Sequence, residues 1–242
     1  MMADDFIITC EHGGNRVPVA YRHLFEDARD LLATHRGYDP GALAMARALA
    51  ASLAAPLLAS TVSRLVIDLN RSIGHPQLYS PMTRAAPQAL RRDIVERHYR
   101  PYRERVEALV DESVRRKRRV IHVSSHSFTP ELDGRLRNAD IGLLYDPGRA
   151  GELRLCRDWQ AALAICTPAL RVRRNYPYAG KSDGLTCHLR RRFSADAYIG
   201  IELEINQRVA LQPARRWSNL RDNLINALRA ALHRPQRRQG GN

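Results

Sequence analysis

Lysine is almost absent from this chain. It occurs at Lys117 and Lys181 only, so nearly all of the 39 basic side chains in 242 residues are arginine. The cysteines are few, Cys10, Cys156, Cys166 and Cys187, and none forms a CxxC pair, which removes a cysteine-based zinc site. A reducing compartment keeps such residues as thiols. Aromatics make up only 6%. No apolar run nears the ~20 residues of a membrane-spanning helix. The opening Met-Met-Ala-Asp-Asp has no basic stretch followed by an apolar one, so a secretory leader is not expected and the expected location is the cytoplasm. With 44% hydrophobic and 26% charged residues, wholesale disorder, collagen and coiled coil are excluded.

A net charge of +14 invites a nucleic-acid reading. The arginines, however, are scattered over 115–119, 171–174, 190–192 and a tail from 234 to 238, with no nucleic-acid-binding signature beside them. The preferred reading is a solvated, arginine-biased surface with no specific nucleic-acid partner, because net charge alone speaks to solubility and nonspecific contact.

Short apolar runs alternate with helical patterns. Strands are predicted at Phe6–Cys10, near Pro56–Thr61, and at Arg64–Asp68, Arg119–Ser125, Ile141–Tyr145 and Tyr198–Ile205, with an edge strand at Ala169–Arg173. Helices are predicted from Pro40 to Ala55 (with Asp39 as its cap), from Pro87 to Lys117 with a break at Pro101, from Gly151 to Leu163 and from Pro213 to Leu232. The alternation predicts an α/β fold: a three-layer mixed sheet with helices on both faces. One domain over residues 1–233 and a disordered tail over 234–242 are expected. The stretch from Ser72 to Pro87 reads as a long surface loop, a common home for function.

In open α/β sheets ligands bind beyond the carboxyl ends of the strands. Those ends carry Glu11-His12-Gly13-Gly14, Asp68-Leu69-Asn70-Arg71 and Ser124-Ser125-His126, and the late strand carries Glu202 and Glu204. The two glycines are expected to leave the His12 imidazole accessible. A catalytic zinc commonly takes two histidines and a carboxylate, leaving one position open. His12 and His126 are the candidate imidazoles, and His122 is read as core or outer support. The carboxylate is Glu11, Asp39 or Asp68, with Asp39 preferred. One of Glu202 and Glu204 is a candidate general base, since a carboxylate in an apolar strand is costly unless used. Arg71, beside Asn70, and Arg64 are candidates to bind a substrate carboxylate or an oxyanion.

Together these residues resemble the N-formylglutamate amidohydrolase family. The similarity lies in Cys10-Glu11-His12-Gly13-Gly14-Asn15-Arg16-Val17-Pro18, Gly37-Tyr38-Asp39-Pro40-Gly41-Ala42, Ser63 to Arg71 and Tyr99-Arg100-Pro101-Tyr102. It continues through His126-Ser127-Phe128-Thr129-Pro130, Ile141 to Asp146, Asn175-Tyr176-Pro177-Tyr178-Ala179-Gly180 and Leu203-Glu204-Ile205. After Glu204 the chain departs from the family, with Asn206-Gln207-Arg208-Val209 in place of an Arg-Gln-Asp-Leu-like run.

The resemblance implies a zinc-exopeptidase-like α/β fold and hydrolysis of a small-molecule N-acyl amino acid such as N-formylglutamate. It implies His12 and His126 as metal ligands, and Asp39 as the carboxylate ligand by similarity to muramoyl-alanine amidases. Glu204 is implied as general base. Asn70 and Arg71 are implied as substrate-carboxylate contacts by similarity to aspartoacylases. Arg64 is expected to stabilise the oxyanion. Zinc is the expected metal, with manganese and iron open as other divalent choices. A cell-wall-type muramoyl-alanine amidase and a nonenzymatic nucleic-acid-binding protein are the alternatives. Oligomeric state is not legible.

Overall fold

The computed structural model describes residues 3–233; the tail expected to be disordered, 234–242, lies outside them. In chain order the elements are β1 (Asp4–Cys10), a 3-10 segment (Val19–Ala28), α1 (Arg29–Leu32), α2 (Ala42–Leu53), β2 (Leu57–Ala59), α3 (Pro81–Arg84) and α4 (Gln88–Ile94). A π-helical turn (Val95–Tyr99) leads into α5 (Arg100–Arg115), followed by β3 (Arg119–Phe128) and a hairpin of β4 (Glu131–Leu132) and β5 (Arg135–Leu136). Then come β6 (Ile141–Leu144), α6 (Ala150–Cys166), β7 (Val172–Arg174), α7 (Leu185–Arg192), β8 (Tyr198–Asn206), α8 (Gln207–Ala210) and α9 (Ala214–Leu232).

Six strands form one sheet in the order β2-β1-β3-β8-β6-β7. All neighbours are parallel except β6 and β8, so the sheet is mixed, as expected. Alternation along each strand sends side chains to two faces. On one face Ile8, Ile121, Val123, Ile201 and Leu203 pack with Met45 and Leu49 of α2, Trp159 of α6 and Leu224 and Leu228 of α9. Trp159 Nε1 donates to the Leu224 carbonyl at 3.0 Å and so joins α6 to α9. On the other face Ile7, Val120 and Tyr198 pack with Val106 and Val110 of α5 and Leu185 and Leu189 of α7. Helices on both faces make three layers.

The second face changes character along the strands. Ile7, Val120 and Tyr198 give way, two residues at a time, to Glu11, His126 and Glu204. The polar set thus collects at the carboxyl ends of the strands, past the apolar packing of α5 and α7.

Four expectations are corrected. Arg64–Asp68 is a turn rather than a strand and pairs with no strand of the sheet. Its amides close locally, Val66 onto the Ser63 carbonyl at 2.9 Å and Asp68 onto the Leu78 carbonyl at 2.9 Å. Its apolar residues instead fill a third cluster with Tyr21, Phe25 and Ile94. Pro101 does not break its helix: it sits at the start of α5, where no amide is missed, and the preceding π turn accommodates it. Asp39 is not the cap of α2; Gly41 holds that place with φ +85, which favours glycine. The loop expected from Ser72 to Pro87 is interrupted by the single turn of α3, capped by Ser80. Helix α7 was not anticipated, its residues Leu185-Thr186-Cys187-His188-Leu189-Arg190-Arg191-Arg192 being polar over most of their length.

A candidate active site around His12, Asp39 and His126

His12 follows β1, and its backbone carbonyl accepts the Asp39 amide at 2.9 Å, which brings the loop before α2 over the end of the sheet. His126 and Glu204 are direct partners in the β3–β8 register. His12, Asp39 and His126 thereby meet from three separate segments. Each is at most 3% exposed, and one ligand atom from each lies within 4.8 Å of the others. His12 is therefore sealed from solvent rather than accessible. The adjoining glycines serve close approach instead: a Cβ on Gly14 would lie 2.8 Å from the Thr61 carbonyl oxygen.

The geometry of the cluster is directional. Nδ1 of His126 lies 2.9 Å from Asp39 Oδ2, and Nδ1 of His12 lies 3.4 Å from the same oxygen. The ε nitrogens point outward to further carboxylates. His12 Nε2 is 2.7 Å from Asp68 Oδ1, and His126 Nε2 is 2.9 Å from Glu11 Oε2. Imidazoles that bind metal characteristically give their second nitrogen to a carboxylate, which fixes tautomer and ring orientation. Glu11 and Asp68, both weighed as ligands from the sequence, occupy that outer place here.

Charge points the same way. Arg64 Nη2 donates to Asp68 Oδ2 at 2.7 Å, and its Nη1 reaches Asp39 Oδ1 at 3.4 Å. With neutral imidazoles, the three buried carboxylates Glu11, Asp39 and Asp68 against the single Arg64 guanidinium leave two negative charges uncompensated. Two imidazole donors, one carboxylate donor and a double charge deficit suit a divalent cation. Burial opposes ionisation of Asp39, but His12, His126 and Arg64 overcome it and hold the carboxyl well below the usual range. Burial likewise opposes charging of His126, yet hydrogen bonds to Asp39 and Glu11 raise its pKa well above the ordinary histidine value.

Glu204 differs from the other acids. Its Oε2 is buried without a hydrogen-bond partner. Burial pushes its carboxyl up to about 7; the charges of Asp39 and Glu202 add to this, and His126 opposes. A carboxyl titrating near neutrality with a free oxygen can exchange a proton with a neighbouring group. Glu202 instead accepts the Thr186 hydroxyl at 2.7 Å. His122 is fully buried between the Thr9 and Tyr198 hydroxyls, at 2.8 and 2.7 Å, and burial pushes its pKa down to about 4.

The seven residues to which the resemblance gives roles, His12, Asp39, Arg64, Asn70, Arg71, His126 and Glu204, line one pocket of about 720 Å³. Asn70 is partly committed: its Oδ1 accepts the Leu185 amide at 2.6 Å at the start of α7. Arg71 Nη1 donates to the Asp183 carbonyl at 2.7 Å, while its buried Nε has no partner.

The N-formylglutamate amidohydrolase family model matches residues 4–211. The chain belongs to that family. Membership places it among amidohydrolases, which act on small molecules. A gene product from Agrobacterium tumefaciens has a crystal structure with TM-score 0.81 and 31% identity, matched over 96% of this chain and 91% of that one. An N-formylglutamate amidohydrolase from Ralstonia eutropha JMP134 shares the fold, with TM-score 0.68 at 20% identity over 96% and 94% of the two chains. No curated protein matches the sequence.

Sequence reasoning on this amidohydrolase passed over several pocket residues. Tyr178 lines the pocket, with the Arg137 guanidinium 5.0 Å from its ring centre. Burial and the charge of Glu204 raise its pKa, so its phenol remains a donor at neutral pH. Asp183 takes the Ser72 amide at 2.8 Å and the Ser72 hydroxyl at 2.5 Å, tying the Arg71 loop to the segment before α7. Tyr178 stood in a quoted motif and had a signal; Asp183 had none. No helix among the described residues is long and apolar enough to cross a membrane.

Proposed function

We propose that this amidohydrolase cleaves the amide of an N-acyl amino acid, N-formylglutamate or a close analogue, in the cytoplasm, with a divalent cation, zinc first, held by His12, Asp39 and His126. The observation that carries this reading is the convergence of two imidazoles on one Asp39 oxygen, each backed by a second buried carboxylate. A cation in that place supplies Lewis-acid polarisation and lowers the pKa of water.

The chain's own groups do the rest. Glu204, with its buried free oxygen, takes a proton from the attacking water as the water oxygen bonds to the acyl carbon. The same proton then passes to the departing nitrogen as the C–N bond breaks, leaving a carboxylic acid and an amine. Arg64 lines the pocket and faces the oxyanion that forms on the acyl oxygen. Asn70 and Arg71 hold the substrate carboxylate, Arg71 by charge-assisted hydrogen bonds.

The test is a panel of N-formyl, N-acetyl and N-succinyl amino acids, assayed on chelator-stripped protein with and without added zinc. Zinc-dependent hydrolysis of one acyl class is the expected result. A protein that binds zinc stoichiometrically and hydrolyses none of them overturns the assignment.

A further inference from the structure

The motif Tyr99-Arg100-Pro101-Tyr102 is not used by the reaction, yet two of its side chains, Tyr99 and Tyr102, end at the site. The π turn Val95–Tyr99 widens the helix just before α5. Tyr99, Tyr102 and Arg103 are three and four residues apart and so share one helical face. The Tyr99 hydroxyl donates to the Arg71 carbonyl at 2.7 Å, and Arg103 Nη1 donates to the Leu69 carbonyl at 3.1 Å. The Tyr102 hydroxyl donates to Glu11 Oε1 at 2.8 Å. Glu11 is wholly buried. Its other oxygen accepts the Ser124 hydroxyl at 2.6 Å and lies 2.9 Å from His126 Nε2.

A wholly buried carboxylate is costly unless its oxygens are bonded. Here both are, and one faces the ring nitrogen opposite the one aimed at Asp39. Without this carboxylate the neighbours of His126 Nε2 would be the Ser124 hydroxyl at 2.9 Å and the Asn70 amide nitrogen, a pure donor, at 3.4 Å. That hydroxyl can either give or take a proton, so it does not select a tautomer. A carboxylate only accepts; it therefore keeps the proton on Nε2 and the lone pair on Nδ1, toward the cation. The Tyr102 phenol donates to Oε1, so with Ser124 on Oε2 it restrains the rotation of the carboxylate.

We propose that Glu11, anchored by Tyr102 and Ser124, is a positioning residue that holds His126 with Nδ1 free to bind the cation. The proposal rests on the reading of His12, Asp39 and His126 as the cation site, and the two fail separately.

The test measures zinc dissociation constants by chelator competition, and Co²⁺ absorption spectra, on Glu11→Ala, Glu11→Gln and Tyr102→Phe. The apo forms are compared by thermal melting. Glu11→Ala is expected to weaken zinc binding ~10–100-fold. Glu11→Gln, whose amide oxygen still accepts the ring N–H, is expected to fall between the alanine variant and wild type. Tyr102→Phe is expected to weaken binding several-fold with an altered Co²⁺ band. A merely structural role would lower the apo melting temperature and leave zinc affinity and the Co²⁺ spectrum unchanged; that result overturns the proposal. Should the Glu11 variants fail to fold, Tyr102→Phe decides alone on the same two readouts. A wild-type protein that binds neither ion overturns the cation site itself.

Discussion

Replacing Glu204 by glutamine should abolish activity and at the same time stabilise the protein at alkaline pH. The group has a carboxyl pKa raised by burial from the ordinary 4.5 to about 7. A raised acid favours the folded state fully below its unfolded value, and that advantage is lost as pH rises through the folded value. Between pH 4.5 and 7, wild type therefore gives up about 3 kcal/mol, from a displacement of roughly 2.5 units at 1.36 kcal/mol each. Glutamine has the same shape and no charge to bury, so the variant keeps it. Urea denaturation of the metal-free proteins at pH 5, 6, 7 and 8 reads the difference directly. The stability gap should open from near zero at acid pH toward about 3 kcal/mol at pH 8 in favour of the variant. In the metal-loaded assay kcat should fall ~10²–10⁴-fold, the contribution of a positioned proton carrier. Parallel pH curves for the two proteins would refute the claim that Glu204 is ionised at a cost, and retained kcat would refute its use.

Three further outcomes follow from the geometry. His126→Ala should not retain zinc after dialysis, as measured by elemental analysis; full occupancy would remove His126 from the ligand set. Arg71→Ala should raise KM ~10–100-fold with a smaller change in kcat, since the loss is of a charged hydrogen bond to a carboxylate distant from the scissile bond; a fall confined to kcat would contradict that role. His122 is held neutral by burial with its pKa near 4, so its contribution is present above the unfolded value of 6.5 and lost as pH falls through 4. His122→Gln should therefore narrow its stability deficit against wild type by about 2 kcal/mol between pH 7 and 5 in urea melts; a constant deficit would show that the imidazole does not resist protonation.

The layers of this fold are legible wherever a segment's own pattern decides its structure. Strand β1 carries the apolar run Phe6-Ile7-Ile8, β3 and β8 place Ile121, Val123, Ile201 and Leu203 at alternate positions, and α9 carries a clear apolar stripe, so periodicity finds them. Arg64–Asp68 shows the limit. Leu65-Val66-Ile67 reads as a strand on its own, but its amides close locally and its side chains pack with Tyr21, Phe25 and Ile94, distant partners that the run itself does not announce. Asp39 shows the converse. As an acid before a helix it reads both as a cap and as a ligand, and the fold separates the two: Gly41 caps α2 while the Asp39 carboxylate faces His12 and His126. His12, His126 and Glu204 were legible because reactive side chains at the carboxyl ends of β1, β3 and β8 have few other reasons to be there, whereas Asp39, Arg64, Asn70 and Arg71 lie on loops and were reached through the motifs they stand in. The outer carboxylates were ambiguous for a physical reason: Glu11 and Asp68 have the chemistry of ligands, and it is the direction of each ring that sets them behind the imidazoles.

That direction yields a last prediction, about protons. Glu11, Asp39 and Asp68 are buried acids, and among the described residues Arg64, paired with Asp39 and Asp68, is the guanidinium in ion-pair contact with the group. Two negative charges therefore need a counterweight, and burial in a medium of low polarity makes leaving them unbalanced expensive. In the metal-free protein the available counterweight is a proton on each imidazole, in keeping with the upward displacement of both His12 and His126. A divalent cation brings the same charge and needs the lone pairs those protons occupy. Binding must then expel protons, and the number is set by the charge deficit rather than by the metal. Calorimetric titration with zinc in buffers of different ionisation enthalpy at pH 6.5 should give close to two protons released per ion. Release of none would mean that the imidazoles are already neutral beside three carboxylates, and the charge argument for a divalent cation in this pocket would fall with it.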